Sequence, residues 1–156
     1  MSPAAPRLYH SSGKPGYLNE LSGDPRHIVA RKLEREVQVQ FADRACTVQT
    51  AEGAVQAQTG DAILTGIAGE RWRVSRKHFA DKYRPAAATR AGEPGAYLSL
   101  RNRILALRMS EPFDVVLADG VSRLNGRPGD WLVDYGDGSL GVISDAIFQV
   151  TYEIPD

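Results

Sequence analysis

The chain has 156 residues, 42% hydrophobic and 24% charged, with nineteen Lys plus Arg against nineteen Asp plus Glu. That balance suits a single globular body, excludes disordered, collagen-like and coiled-coil classes, and removes any whole-molecule charge that would draw the protein to nucleic acid or anionic membrane. Cys46 is the only cysteine, so an intrachain disulfide and a cysteine-rich zinc site are both excluded, and no apolar run nears the roughly 18 residues of a membrane span.

Met1 to Arg7 lacks the apolar stretch of a secretory signal, and Glu20 and Asp24 oppose a transit peptide, so a cytoplasmic location is expected. Residues 1–27 hold Pro3, Pro6, Pro15 and Pro25 with Ser11-Ser12-Gly13 and Gly16. They show no period and predict an irregular extension draped over the body.

From residue 28 the pattern changes. Val37, Val39 and Phe41 alternate with Gln38 and Gln40, the period-two signature of a half-buried strand, and Cys46 and Val48 continue it. Glu52-Gly53 marks a hairpin turn. After Gly60-Asp61, the run Ile63 to Thr65, a glycine-containing turn, and Trp72 with Val74 predict a second hairpin. Ser75 then suits a helix N-cap, because its hydroxyl can accept from the free amides of the first turn. Phe79 and Tyr83, four apart, are placed on one face of that short helix. The alanine-rich stretch 87–95 predicts a linker.

The rest repeats this order. At an offset of 69, Gly60-Asp61 falls on Gly129-Asp130, Ile63 on Leu132, Gly69 on Gly138, Val74 on Ile143, Ser75 on Ser144, Phe79 on Phe148 and Tyr83 on Tyr152. Upstream the offset is 67, where Val37, Val39, Glu52 and Gly53 meet Ile104, Ala106, Asp119 and Gly120. The expectation is an α+β, predominantly β protein of two tandem repeats, 28–86 and 96–156. Each has about four strands and a short C-terminal helix, and the two pack as one pseudo-twofold body because neither alone buries enough surface.

Pro128-Gly129-Asp130-Trp131, followed by Gly138, Phe148, Thr151, Tyr152 and Glu153, resembles the Pro-Gly-Asp-Tyr signature of small bacterial and phage proteins grouped as PGDYG. Thr59-Gly60-Asp61-Ala62, Thr65 to Glu70 and Phe79 to Tyr83 resemble it more loosely. Arg31-Lys32 and the Glu36 to Phe41 strand are similar to the opening strand of phage members. Trp131 and Ala62 stand where the signature has Tyr, and Leu132 where it has Gly. The resemblance implies a fold habit and no particular reaction.

Four features could carry chemistry. Gly136-Asp137-Gly138-Ser139-Leu140-Gly141 spells a dinucleotide fingerprint, but a strand is expected to leave it where the fingerprint needs a helix, so a hairpin turn is the better account. Asp61 and Asp130 could act as a facing pair of acid, base or hard-metal ligands. Alternatively, each accepts backbone amides in its own turn, a role that explains why both repeats keep it. Asp130, Asp134, Asp137 and Asp145 lack calcium-loop spacing and read as a solvated acidic face.

The fourth is basic. Arg71, Trp72, Arg73, Arg76, Lys77 and His78 interleave cations with an aromatic face, a combination that binds phosphate and stacks a base. Residues 35–85 carry eight basic and six acidic side chains, and residues 102–156 four and nine. Hence the strip could instead be a solvent face, or could dock the basic half on the acidic one. The histidines His10, His27 and His78 make no metal spacing. Cys46 reads as a small buried hydrophobe.

Together these features predict a non-enzymatic binding module for an anionic, nucleotide-like ligand or a protein partner, at the strip or between the repeats. No cofactor, metal or membrane is called for, nucleic acid is a weaker partner, and head-to-tail oligomers are open to the unlike halves. The alternatives are a small hydrolase-type or metal-assisted enzyme using Asp61 and Asp130, and a structural or assembly protein of phage or prophage type.

Overall fold

Alternating apolar residues put nearly half of the chain into strands of two to six residues. The computed structural model describes residues 6–86, 88–100 and 102–154. In chain order come β1 (Arg7–His10), the helical turn α1 (Asn19–Ser22), β2 (Ile28–Lys32) and β3 (Glu36–Phe41). The hairpin β4 (Cys46–Thr50) and β5 (Gly53–Ala57) follows, then β6 (Ala62–Thr65), β7 (Arg71–Val74), α2 (Arg76–Lys82) and β8 (Tyr83–Pro85). The remainder is β9 (Gly95–Ser99), β10 (Arg103–Arg108), β11 (Phe113–Val116), β12 (Arg123–Gly126), β13 (Trp131–Asp134), β14 (Leu140–Ile143), α3 (Asp145–Thr151) and β15 (Tyr152–Glu153). The protein is mostly β, with a few short helices and several sheets.

Two five-stranded sheets share one pattern. The first runs β7-β6-β3-β9-β8 and the second β14-β13-β10-β2-β15. Each is completed by the strand that leads into the other's central strand: β9 precedes β10 yet pairs with β3, while β2 precedes β3 yet pairs with β10. Leu33 N donates to Thr151 O, and Leu100 N donates to Lys82 O, where the two crossovers leave. A smaller layer joins them. The hairpin β4-β5 lies beside the sheet β1-β11-β12, where Asn125 N donates to Glu52 O at 2.7 Å and Gln56 N to the Ser122 hydroxyl.

The core is divided accordingly. Val37, Val39, Leu64, Phe79, Tyr83 and Tyr97 fill the first half, and Ile104, Ala106, Trp131, Val133, Phe148 and Tyr152 the second. A third cluster, with Tyr9, Leu21, Phe113, Val115 and Leu132, lies under the smaller layer. Each large side chain so buried stabilises the fold by roughly 1.5–3 kcal/mol.

Several expectations change in detail. Residues 1–27 are not wholly irregular, although Pro3 lies outside the described residues: β1 adds a parallel strand to β11, and α1 buries Leu21 completely. Ser75 and Ser144 do cap α2 and α3, accepting from His78 N and Ile147 N at 3.3 Å. Those helices, however, are not the last elements of their units. Tyr83 and Tyr152 take extended dihedrals just beyond them and open β8 and β15, because their backbones pair with β9 and β2. The stretch drawn as a linker therefore joins two neighbouring strands of one sheet. It is held by the Tyr97 hydroxyl, which donates to Glu93 O at 2.7 Å and accepts from Gly92 N.

The acidic residues of the second half are not a solvated face. Asp134 is 1% exposed, accepts from Leu18 N and Gly136 N, and so ties the N-terminal segment to β13. Burial pushes its carboxyl up despite those two bonds. Asp145 accepts from Trp131 Nε1 at 2.9 Å, and that bond, with one from Gln149, holds it low.

Candidate functional site

The apolar alternation that builds β7 and β14 leaves both at the outer margin of their sheets. Between them runs a cleft of about 650 Å³, a size typical of small-molecule sites. One wall is Arg71 to Ser75 with Lys77, His78 and Lys82. The other is Tyr135, Gly138 to Ser144 and Ile147. The turn Thr50 to Glu52, the segment Leu117 to Asp119, Glu70 before β7, and Lys32, Arg35 and Glu36 at the β2–β3 crossover also line it.

Of the basic strip, Arg71, Trp72, Arg73, Lys77 and His78 line this cleft, and Arg76 does not: its stem lies over Gly60 on the outside. Arg71 and Lys77 are exposed, and no carboxylate pairs with either among the described residues. Arg73 is engaged, since its Nη1 donates to Asp61 Oδ2 at 3.0 Å, although its Nε is buried without a partner. His78 Nδ1 stands 3.6 Å from Asp137, and Lys82 Nζ is 2.5 Å from the same carboxylate. Burial opposes ionisation of Asp137, but the bonds from Lys82 and Ser139 prevail and hold it low. Basic α2 thus docks on the acidic β13–β14 loop.

Asp61 and Asp130 do not line the cleft. Gln58 N donates to Asp61 Oδ2 at 2.8 Å, and Arg127 N donates to Asp130 Oδ2 at 3.0 Å, so each carboxylate closes its own turn ahead of a strand. Gly136 to Ser139 lies in the connection between β13 and β14, and Leu140-Gly141 opens β14, so the motif runs strand to strand. Its glycines admit another segment: Gly138 has φ +92°, and a Cβ there would overlap the Lys14 backbone. Gly13 N donates to Gly138 O, and Gly16 N to Gly136 O, as the N-terminal segment crosses. No group of three or more His, Cys, Asp or Glu converges on a metal-sized point among the described residues. Cys46 is half-buried against Ala42, Val48 and Ala57.

Some cleft residues carry no ligand-facing signal in the sequence. Lys32, from β2 of the second sheet, reaches into the first half: its Nζ donates to the Tyr83 hydroxyl at 2.8 Å and lies 4.9 Å from the Tyr83 ring centre and 5.7 Å from that of Trp72. Lys82 reciprocates from the first half, 4.4 Å from the Tyr135 ring centre. Burial pushes the Tyr135 and Tyr152 phenols up, so both stay protonated. Glu52, at the tip of the β4–β5 turn, faces the cleft with no hydrogen-bond donor on its carboxyl among the described residues. Burial first, then the nearby Asp130 and Glu70, push it up to about 7. Glu70 Oε2 is buried without a partner, its carboxyl tucked over Gly66 beside the Trp72 ring. The one available signal was the alignment of Glu52 with Asp119. By contrast, Asp119 is held low, against its burial, by bonds from Ser122 and Val121.

No helix among the described residues is long and apolar enough to cross a membrane. No curated protein and no solved structure matches the chain. The chain belongs to the PGDYG protein family, whose pattern matches residues 53–153, from β5 through β15.

Proposed function

We propose that the protein is a non-enzymatic binding module that takes an anionic, nucleotide-like small molecule in the cleft between its halves. Lys32 carries the proposal. It is a half-buried ammonium on the cleft wall, oriented by the Tyr83 hydroxyl and two aromatic rings, with no carboxylate partner among the described residues. A cation so placed is costly without a counter-charge, and a bound anion supplies one. Arg71 and Lys77 add charge at the rim, and Trp72 offers a ring face. We further propose that the halves are tandem copies related by a pseudo-twofold axis. The shared strand order supports this, as do the pairings Val37 with Tyr97 and Ile104 with Ala30, which correspond at an offset of 67.

The test is thermal unfolding against nucleotides, cyclic nucleotides, sugar phosphates and short oligonucleotides. A ligand at a hundred times its Kd adds about 2.7 kcal/mol, a shift of several degrees at this size. Lys32→Met should abolish that shift, and Arg44→Ala, on the far exposed turn, should keep it. A panel that leaves the wild-type transition unmoved overturns the proposal and turns the search to a protein partner.

A further inference from the structure

The cleft is not simply cationic. Around Trp72 it offers two opposite chemistries. Lys32 Nζ lies over the ring, 5.7 Å from its centre, and carries protons beyond the one given to Tyr83. At the ring's edge is the Glu70 carboxyl, one oxygen of which receives only a long 3.3 Å bond from Ala68 N, while the other is buried and receives none. Glu52 faces the same cavity, near enough to Glu70 for the two to repel. Lys32 forms no ion pair with either.

Each of these groups lacks something that the protein does not provide. Lys32 lacks an anion, Glu52 has no donor among the described residues, and Glu70 has only the long bond from Ala68 N. Water could solvate each separately, but a single molecule that answers both must bear a negative group at one end and paired O–H or N–H donors one ring-length away, with an apolar face suited to indole. Unpaired buried acceptors discriminate strongly in favour of a partner that donates to them. Resting on the binding reading above, we infer that the cleft's ligand is a ribonucleotide whose phosphate pairs with Lys32 and whose ribose hydroxyls donate to Glu52 and Glu70, with Trp72 against its base.

Adenosine 5′-monophosphate and its 2′,3′-dideoxy analogue, titrated calorimetrically into the full chain, separate the possibilities. At pH 8, where Glu52 is ionised, the wild type should bind the ribonucleotide about tenfold more tightly per hydroxyl than the dideoxy form, the usual scale for a hydrogen bond to a charged group. Glu52→Gln with Glu70→Gln removes the charge from both acceptors and should narrow the gap between the two ligands several-fold. Equal wild-type affinities for the two ligands would overturn the inference and leave the anion site standing, and that comparison needs no variant to fold. Loss of both ligands alike in the Gln variant would overturn it too, by making the carboxyls structural. If neither ligand binds the wild type, this inference fails, and the phosphate-only members of the thermal panel then decide whether the anion site fails with it.

Discussion

In the second half Phe148 lies flat between Trp131 and Tyr152, with ring centres 4.0 and 5.2 Å away. In the first half Phe79 stacks on Tyr83 at 5.1 Å, but its other neighbours are Phe41 and Tyr97, both edge-on. The strand register explains the exchange. Trp131 faces Arg108 across β13 and β10, whereas Ala62 faces Phe41 across β6 and β3. Likewise Ala30 faces Ile104, where Tyr97 faces Val37. In the first half the aromatic volume lies on the facing strand and on the exchanged strand, and both helices carry a phenylalanine. The cleft repeats the lesson: Trp72 of β7 sits against Gly66, whereas Tyr135, before β14, sits against Gly141. What is held constant is the filled space between strands, because interiors tolerate neither voids nor excess.

The sharpest way to break this comparison is to empty the second half. Trp131→Ala should cost about 3–5 kcal/mol, since it removes a stacked ring and leaves Asp145 without its indole donor. Chemical denaturation would read it as a lower midpoint at unchanged slope. Placing the same ring in the first half should also destabilise, by about 1–3 kcal/mol, because Phe41 and Tyr97 already occupy the space beside Ala62. If volume is what the halves share, Phe41→Ala should recover much of the loss from Ala62→Trp. A strictly additive double variant would show that the two halves fill their cores by unrelated means.

The N-terminal crossing has no counterpart in the first half, where Gly69 meets nothing within 4 Å. Gly138→Ala should therefore cost about 1–3 kcal/mol, through its positive φ and the overlap with Lys14, and should speed proteolysis of the first twenty residues. Gly69→Ala shares the unfavourable φ but not the overlap, so the difference between the two variants isolates the crossing. Smaller again are the caps. Ser75→Ala and Ser144→Ala should each lower stability by about 1 kcal/mol, by similar amounts because both hydroxyls accept at the same distance.

The local devices were the legible part. A serine before an aromatic-bearing helix, an aspartate after a positive-φ glycine, and alternation in Val37 to Phe41 each act within a few residues, so their spacing records them. The strand exchange acts across 56 to 62 residues for β9 and 72 to 78 for β2, and no local period encodes which of two similar sheets receives either strand. In the sequence Lys32 therefore resembles only part of an opening strand, although in the fold it meets Tyr83 from the other half. Four-residue spacing places Tyr83 on the helix, and its pairing with Ser99 decides for strand. The basic strip was visible as composition. Which of its members face the cleft depends on the docking of the halves, and Arg76 falls outside.

The turns at the tips of β4–β5 and β11–β12 give the last and smallest contrast. Asp119 is satisfied by its own turn, but Glu52 is not, and it keeps its proton up to about 7 against an ordinary value near 4.5. The unfolded chain releases that proton near 4.5, so between these values the folded protein binds more protons than the unfolded one. Stability must then fall as pH rises through that window, and the contribution is lost above 7. Glu52→Gln removes the titration, so the variant's melting temperature should vary less between pH 5 and 8 and lie above the wild type's at the alkaline end. A hydroxyl-bearing ligand that donates to this carboxyl lowers the cost of ionising it, so saturating ligand should flatten the wild-type profile toward that of the variant. Parallel profiles for wild type and variant would mean that the Glu52 carboxyl is solvated, and that the two turn tips do not differ in kind.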